Sequence, residues 1–327
     1  MERGLKRLKV VIPGGAGQIG SILARSFQAD GHEVVVLSRN PRPAPWQFTE
    51  WDARTLGDWS KEIEGADAVI NLAGRSVNCR YSSKNRRAIR DSRVDSTRVV
   101  GEAIARATRP PRVWLQAGTA TIYSHRIDAP NDEATGLLGG SEHDVPESWR
   151  FSVEVASEWE RAMDESEAPR TRKVVLRSAM TMSIDRGGVF DALLGLVRRG
   201  LGGRAGTGKQ YVSWVHQADF VRATHWLIEH ETFDGPVNIA SPEPLPNAEF
   251  MRELREAAGM RFGLPASGWV LEAGAILLGT ESELILKSRR VVPGRLLEAG
   301  FRFQFPNWRE AALDLCRRRR EARRLKS

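Results

Sequence analysis

Residues 9–37 read KVVIPGGAGQIGSILARSFQADGHEVVVL, and the order of signals inside this stretch decides the fold. A short apolar run over 9–12 stops at Pro13-Gly14-Gly15, as a buried strand does when it enters a tight turn. Helical periodicity follows over 19–30, with Ile19, Leu23, Ala24 and Phe27 recurring on one face, and Gly31 closes it. A second β-branched run over 33–37 completes a β-turn-α-β unit.

Further along, short Val/Ile/Leu runs at 66–72, 113–117, 173–177 and 236–239 are separated by helical patterns that include 86–107 and 157–163. Strands alternating with helices predict an α/β fold, a parallel, doubly wound sheet drawing on residues 9–240. A Gly-rich stretch at 187–208 and helical patterns at 247–258 and 308–320 carry less strand signal. The expected division is therefore 1–245 for the sheet domain, with 179–213 contributing to a smaller, mainly helical C-terminal lobe formed by 246–327. Segments 40–45 and 128–145 are rich in Pro, Gly and acids and predict loops.

With 327 residues, 41% apolar and 28% charged, the chain can bury a large core, which excludes a peptide hormone, a disulfide miniprotein or a disordered chain. The formal charge is +8, yet Arg317, Arg318, Arg319, Arg320, Arg323, Arg324 and Lys326 stand against Glu321 alone in 317–327, so the remaining body is near neutral. That basic tail predicts a solvated helix end, with an anionic partner as the alternative. The ten tryptophans are scattered and make no stacking ladder, so nucleic acid is not the expected partner. Cys79 and Cys316 lie far apart without a CxxC or a His cluster, so neither a disulfide framework nor a metal site is expected. A reducing, cytoplasmic setting fits best, and no apolar run approaches membrane-spanning length, so no membrane partner is expected.

Gly14, Gly17 and Gly20 form G-x-x-G-x-x-G at the strand-to-helix turn, and Gln18 and Ile19 open the helix. Missing side chains let the backbone approach a pyrophosphate, and the helix N-terminus favours its charge. The strand before and amphipathic helix after supply the required context, so a dinucleotide site is predicted. At the end of the second strand, Ser38-Arg39 stand where a carboxylate would accept from the ribose hydroxyls of NAD. An arginine there pairs with the extra phosphate of NADP, so NADP(H) is the expected cofactor, unless Arg39 is only a solvated surface charge. Asp52 offers a partner for an adenine amine, and Leu72-Ala73-Gly74 after Asn71 puts small residues where a cofactor would pass; both also read as strand-end turns.

PGGAGQIG at 13–20, LSR at 37–39, NLAG at 71–74, IRDSRVDSTR at 89–98, SWVHQADFVRA at 213–223 and RRVVPGRLLEAGFRFQFP at 289–306 together resemble the extended short-chain dehydrogenase/reductases. Within them the likeness, almost end to end, is to the atypical sugar-nucleotide-epimerase-like "epimerase family protein" group. The resemblance implies a Rossmann-type NADP domain, a small C-terminal substrate lobe and a small-molecule substrate. A homodimer through a pair of helices, frequent in this fold, is left open. Redox members of the family use a Ser or Thr, a Tyr and a Lys, the last two as Y-x-x-x-K on a helix. The tyrosine exchanges a proton with substrate, the lysine lowers its pKa and holds the nicotinamide ribose, and the hydroxyl orients substrate.

By this resemblance Thr119, in TATIY at 119–123, falls at the catalytic hydroxyl. The place of Y-x-x-x-K is Phe151-Ser152-Val153-Glu154-Val155, where Phe has no proton to give and Val no charge, and the tetrad's Asn falls near Arg93. Tyr123 and His216 are the remaining proton carriers, although a phenol at such a point more often packs and bonds, and a lone His in an apolar segment more often makes one structural hydrogen bond. Arg204, Lys209 and Tyr211 approach the SWVHQAD segment and would hold an anionic substrate, or else line a surface loop. Lys84, Arg86, Arg87, Arg90 and Arg93 concentrate charge on one helical stretch, for phosphates or carboxylates if it borders the cleft and for solvent and acidic neighbours if it does not. Two functions follow. One is an NADP(H)-dependent oxidoreductase or epimerase-like enzyme on a small polar substrate, with Thr119 orienting it and Tyr123 or His216 supplying a proton. The other, favoured by Phe151 and Val155, is a non-catalytic NADP(H)-binding regulatory or scaffold protein, of the kind linked to division of bacteria and plastids.

Overall fold

The computed structural model describes residues 7–142, 145–267 and 283–324. Strands β1 (Lys9–Pro13), β2 (Glu33–Ser38), β3 (Gln47–Glu50), β4 (Ala68–Asn71), β5 (Val113–Thr119) and β6 (Arg172–Ser178) lead to the short β7 (Met180–Met182), β8 (Tyr211–Val212) and β9 (Trp214–His216). β10 (Gly235–Ile239) and β11 (Leu245–Pro246) complete the set. Seven of them make one parallel sheet in the order β3-β2-β1-β4-β5-β6-β10, while β7 pairs with β9 and β8 with β11. The helices are α1 (Gln18–Ala29), α2 (Ser83–Arg106), α3 (Glu147–Asp164), α4 (Val189–Arg198), α5 (Gln217–Glu229), α6 (Asn247–Ala258), α7 (Glu283–Leu286), α8 (Gly294–Glu298) and α9 (Trp308–Arg324).

The apolar run Val10-Val11-Ile12 is fully buried because both faces of the sheet are covered. Val10 and Ile12 meet Leu23 and Phe27 of α1 and Phe220 and Leu227 of α5, whereas Val11 faces Val99 and Val100 of α2. Each such side chain contributes about 1.5–3 kcal/mol of burial, which sets the strand register. The strand order reverses between β1 and β4, and there the Leu72 amide donates to the Pro13 carbonyl at 2.8 Å and the Gly14 amide to Leu37 at 2.9 Å. The loops leaving β1 and β4 therefore open a crevice at the switch point, where ligands of open α/β sheets bind.

A separate apolar cluster joins α4, α6 and α9, with Trp308 stacked on Phe250 at 4.1 Å and donating through Nε1 to the Phe250 carbonyl at 2.9 Å. Three expectations change. The Gly-rich stretch contains α4, a ten-residue helix whose Phe190, Leu194 and Val197 supply that cluster. α3 starts at Glu147, ten residues before the periodic pattern at 157–163 and over the Phe151–Val155 stretch that the resemblance places on a helix, because Phe151, Val155 and Trp159 gain burial only on docking against α2 and the sheet. The arginine run is not wholly solvated: Arg319 is buried, pairs with Asp191 and donates to the Ile184 carbonyl at 2.8 Å, while Arg317 bonds Asp314 at 2.6 Å. Among the described residues, no helix is long and apolar enough to cross a membrane.

Candidate functional site

The three glycines of the first turn do different work. Gly14 has φ of 74°, and a Cβ there would stand 2.5 Å from the Ala73 Cα, so the turn touches the loop after β4 only because the side chain is missing. A Cβ at Gly20 would overlap the Gly15 backbone, so this position seats α1 against β1. At Gly17 the nearest neighbour of a Cβ would be the Gly14 carbonyl oxygen at 3.8 Å, which leaves open space in front of the helix. Gly17 is also the N-cap of α1 and supplies no side-chain acceptor, so the first-turn N–H groups remain available to an anion. This cradle fits a dinucleotide pyrophosphate.

Around it, Gln18 donates to Ser183 at 2.6 Å, Ile19 packs partly buried on the core, and Ser38 accepts from the Asn40 amide at 3.1 Å. Arg39 is exposed at the end of β2. Arg42, which the sequence reading passed over, reaches back to the glycine turn and donates to the Ala16 carbonyl at 3.0 Å. Asp52 is engaged locally: its carboxylate accepts from the Arg54 and Thr55 amides at 2.8 and 2.9 Å and from the Thr55 hydroxyl at 2.6 Å, which holds its pKa below the ordinary value. Ala73 donates to Asn71 Oδ1 at 3.1 Å, fixing the Leu72-Ala73-Gly74 bend.

Beside this bend lies a cavity of about 120 Å³. Thr119 and Thr121 line it from the end of β5, Phe151, Ser152 and Val155 from α3, Arg93 from α2, and Glu283 and Arg289 from the C-terminal segment. Thr119, Phe151 and Val155 thus line one cavity. Thr119 Oγ1 accepts from the Thr121 amide at 3.1 Å, leaving its hydroxyl proton to donate. Tyr81, from the loop before α2, also lines the cavity and meets Phe151 edge-on, ring centroids 5.1 Å apart. Arg289 donates to Thr121 Oγ1 at 3.1 Å and pairs with Glu283 at 3.3 Å; burial lowers its pKa, against the opposing pull of Glu283. Nearby, burial and then Arg289 push the Lys287 ammonium down to about 8, and it donates to the Thr121 carbonyl at 2.9 Å. Tyr81, Glu283 and Lys287 carry no signal in the sequence, and Arg289 only opens the 289–306 stretch without pointing to a site, since nothing local tells that their segments converge.

Both expected proton carriers lie elsewhere. Tyr123 is buried; its hydroxyl donates to Asn238 Oδ1 at 3.0 Å and accepts from Arg177 at 3.0 Å, and burial raises its pKa. It packs and bonds, and does not line the cavity. His216 caps α5, its Nδ1 accepting from the Ala218 amide at 3.1 Å, and its Nε2 stands 3.3 Å from Asp314 on α9. Burial, partly opposed by Asp314, lowers its pKa to about 4, so it stays neutral near pH 7. Arg290 lies over the Tyr211 ring at 4.4 Å, while Arg204 Nη1 donates to the Thr207 carbonyl at 3.5 Å and the Lys209 amide to Thr207 Oγ1 at 3.3 Å, and none of Arg204, Lys209 and Tyr211 lines the cavity. On α2, Arg86 pairs with Glu147 at 2.6 Å and Arg90 with Glu158 at 3.8 Å, so these charges join α2 to α3, and Arg93 alone of the group turns into the cavity.

A seven-stranded parallel sheet with a glycine cradle at its switch point and a Thr-lined cavity beside it defines a Rossmann-fold protein of the extended short-chain dehydrogenase/reductase class. The model for the NAD dependent epimerase/dehydratase family matches residues 10–142, and that for a domain of unknown function (DUF1731) matches 266–315. Epimerase family protein SDR39U1 of Bos taurus is 31% identical over 304 residues, covering 91% of this chain and 96% of the relative. The crystal structure of human epimerase family protein SDR39U1 (isoform 2) with NADPH superposes with a TM-score of 0.82 at 28% identity, over 94% of this chain and 99% of that one. A nucleoside-diphosphate sugar epimerase from Corynebacterium glutamicum gives a TM-score of 0.73 at 27% identity, over 94% of this chain and 57% of its own. The chain belongs to the epimerase family proteins.

Proposed function

We propose that this chain binds NADP(H) in the cradle between β1, β2 and β4 and acts as an oxidoreductase on a small polar carbonyl or hydroxyl compound seated at Thr119. The observation that carries the reading is the Tyr81 phenol, brought from another segment against Phe151, the place the family's tyrosine would occupy. Bound in reduced form, the cofactor would supply a hydride to the carbonyl carbon. The chain's own part is to orient the carbonyl oxygen with the Thr119 hydroxyl and to deliver a proton to that oxygen from Tyr81, which solvent then restores. Arg93 and Arg289 both lie within electrostatic reach of Tyr81, and their guanidiniums stabilise the phenolate as the missing lysine would. NADP(H) over NAD(H) is supported by Arg39 and Arg42 beside the turn and by the NADPH of the human relative.

Titration with NADPH and NADH side by side tests the cofactor, and NADPH consumption against a panel of small carbonyl compounds tests the reaction. Tyr81→Phe and Thr119→Ala should each slow turnover by about 10²-fold or more while leaving NADPH affinity in place. Full turnover in Tyr81→Phe moves proton delivery to another group. NADPH binding without turnover of any compound favours the second reading, a non-catalytic NADP(H)-binding regulatory protein, which rests on Phe151 and Val155.

A further inference from the structure

Three enclosed arginines carry their own carboxylate: Arg177 is bidentate with Glu160 at 2.8 Å, Arg289 pairs with Glu283, and Arg319 with Asp191. Arg93 does not. Its Nη1 donates only to the carbonyls of Arg75 and Ile89, both at 3.0 Å, and its guanidinium stands 5.0 Å over the Trp159 ring. Among the described residues no carboxylate acts on it; burial lowers its pKa to about 10, which keeps it cationic at pH 7. In the cavity Glu283 offsets Arg289, so the described lining retains one net positive charge beside the hydroxyls of Thr119, Thr121 and Ser152. Arg93 is half-buried, and with no carboxylate beside it the partial loss of water around its charge is uncompensated, which an entering anion relieves. The volume is modest. An apolar cavity of about 150 Å³ holds the six heavy atoms of benzene, so 120 Å³ encloses about five, which suits a short acid with one end at the cavity mouth and is too few for a nucleotide.

We propose that Arg93 receives a substrate carboxylate, so that the cavity takes a short oxo- or hydroxycarboxylate in preference to a neutral carbonyl compound. The carbonyl part rests on the oxidoreductase reading above; the carboxylate part rests on the cavity alone. A forked guanidinium matches a carboxylate with two parallel hydrogen bonds, and the apolar walls of Phe151 and Val155 suit a short carbon chain. The rival occupant is a cofactor phosphate, because the Arg93 guanidinium carbon lies 3.4 Å from where a Cβ at Gly74 would stand.

Calorimetry on the NADP⁺-loaded protein distinguishes the two, with matched pairs as probes: acetoacetate against pentane-2,4-dione, and 2-oxobutyrate against pentane-2,3-dione. At least one carboxylate should bind about tenfold or more tighter than its neutral partner. Arg93→Met should abolish that preference and Arg93→Lys keep part of it, with NADPH affinity unchanged in both. Equal binding within each pair, no binding by either carboxylate, or a preference that survives Arg93→Met overturns the proposal. So does a loss of NADPH affinity in a folded Arg93→Met protein, which would give Arg93 to a cofactor phosphate. The wild-type comparison needs no variant to fold. Should the wild type bind no NADPH, the cofactor reading fails, while a carboxylate preference measured without cofactor still upholds this one.

Discussion

The glycine cradle and the Thr119 cavity adjoin at Gly74, yet they are made of different material. The cradle is backbone: N–H groups and absent Cβ atoms from three short segments that follow β1, β2 and β4. The cavity is side chains, drawn from the loop before α2, from α2 and α3, from the end of β5 and from a C-terminal segment. A backbone site is intolerant at its glycines and indifferent to much else. A side-chain site keeps its shape while its chemistry changes, which is how Phe151 and Val155 occupy the Tyr-Lys positions without disturbing α3.

Gly14→Ala or Gly20→Ala should break the cradle outright, costing about 4 kcal/mol or more and abolishing a cooperative folding transition, because the new Cβ meets backbone. Gly17→Val sharpens the contrast: its Cβ points into open space, so stability in denaturant should stay within about 1 kcal/mol while NADPH binding is lost. A Gly17→Val protein that binds NADPH normally would make that glycine a folding residue only. In the cavity, Glu283→Gln should cost about 3 kcal/mol by chemical denaturation, since Arg289 is left buried without its carboxylate.

Outside both regions, His216 makes stability depend on pH. Its folded pKa of about 4 lies below the ordinary 6.5, so between those values the unfolded chain binds a proton that the folded one refuses. Stability therefore falls as pH drops from 7 toward 4, by up to about 3 kcal/mol from this group. His216→Asn retains the cap acceptor for Ala218 and should flatten that slope; an unchanged slope would assign it to other histidines. The smallest effect expected is Arg39→Asp, which should weaken NADPH about tenfold relative to NADH, with Arg42 supplying the remaining positive charge. Equal loss of both cofactors would remove Arg39 from phosphate recognition.

Six of the seven strands of the main sheet and the glycine turn are legible in the sequence; the edge strand β3 carries no apolar run, α4 is hidden in glycines, and α3 begins before its periodic pattern. Thr119 is legible through its neighbours in TATIY, and Arg93 both as a replaced asparagine and as one of the basic residues of the 84–93 stretch that would attract phosphates or carboxylates at a cleft. The sequence leaves Tyr123 and His216 open between proton carrier and structural residue, because a chemically able side chain carries no mark of the direction it faces, and neither lines the cavity. Tyr123 turns to Arg177 and Asn238, and His216 to the backbone of α5 and to Asp314.

Strand period, helix period and glycine spacing are properties of contiguous residues, so the parallel sheet and its nucleotide cradle could be read without coordinates. Which side chains share a cavity depends instead on strand order and on how distant helices dock. Only the folded chain brings Tyr81, Arg93, Thr119, Glu283 and Arg289 around one small space. It alone leaves Arg93, among them, with its positive charge and no carboxylate of its own among the described residues.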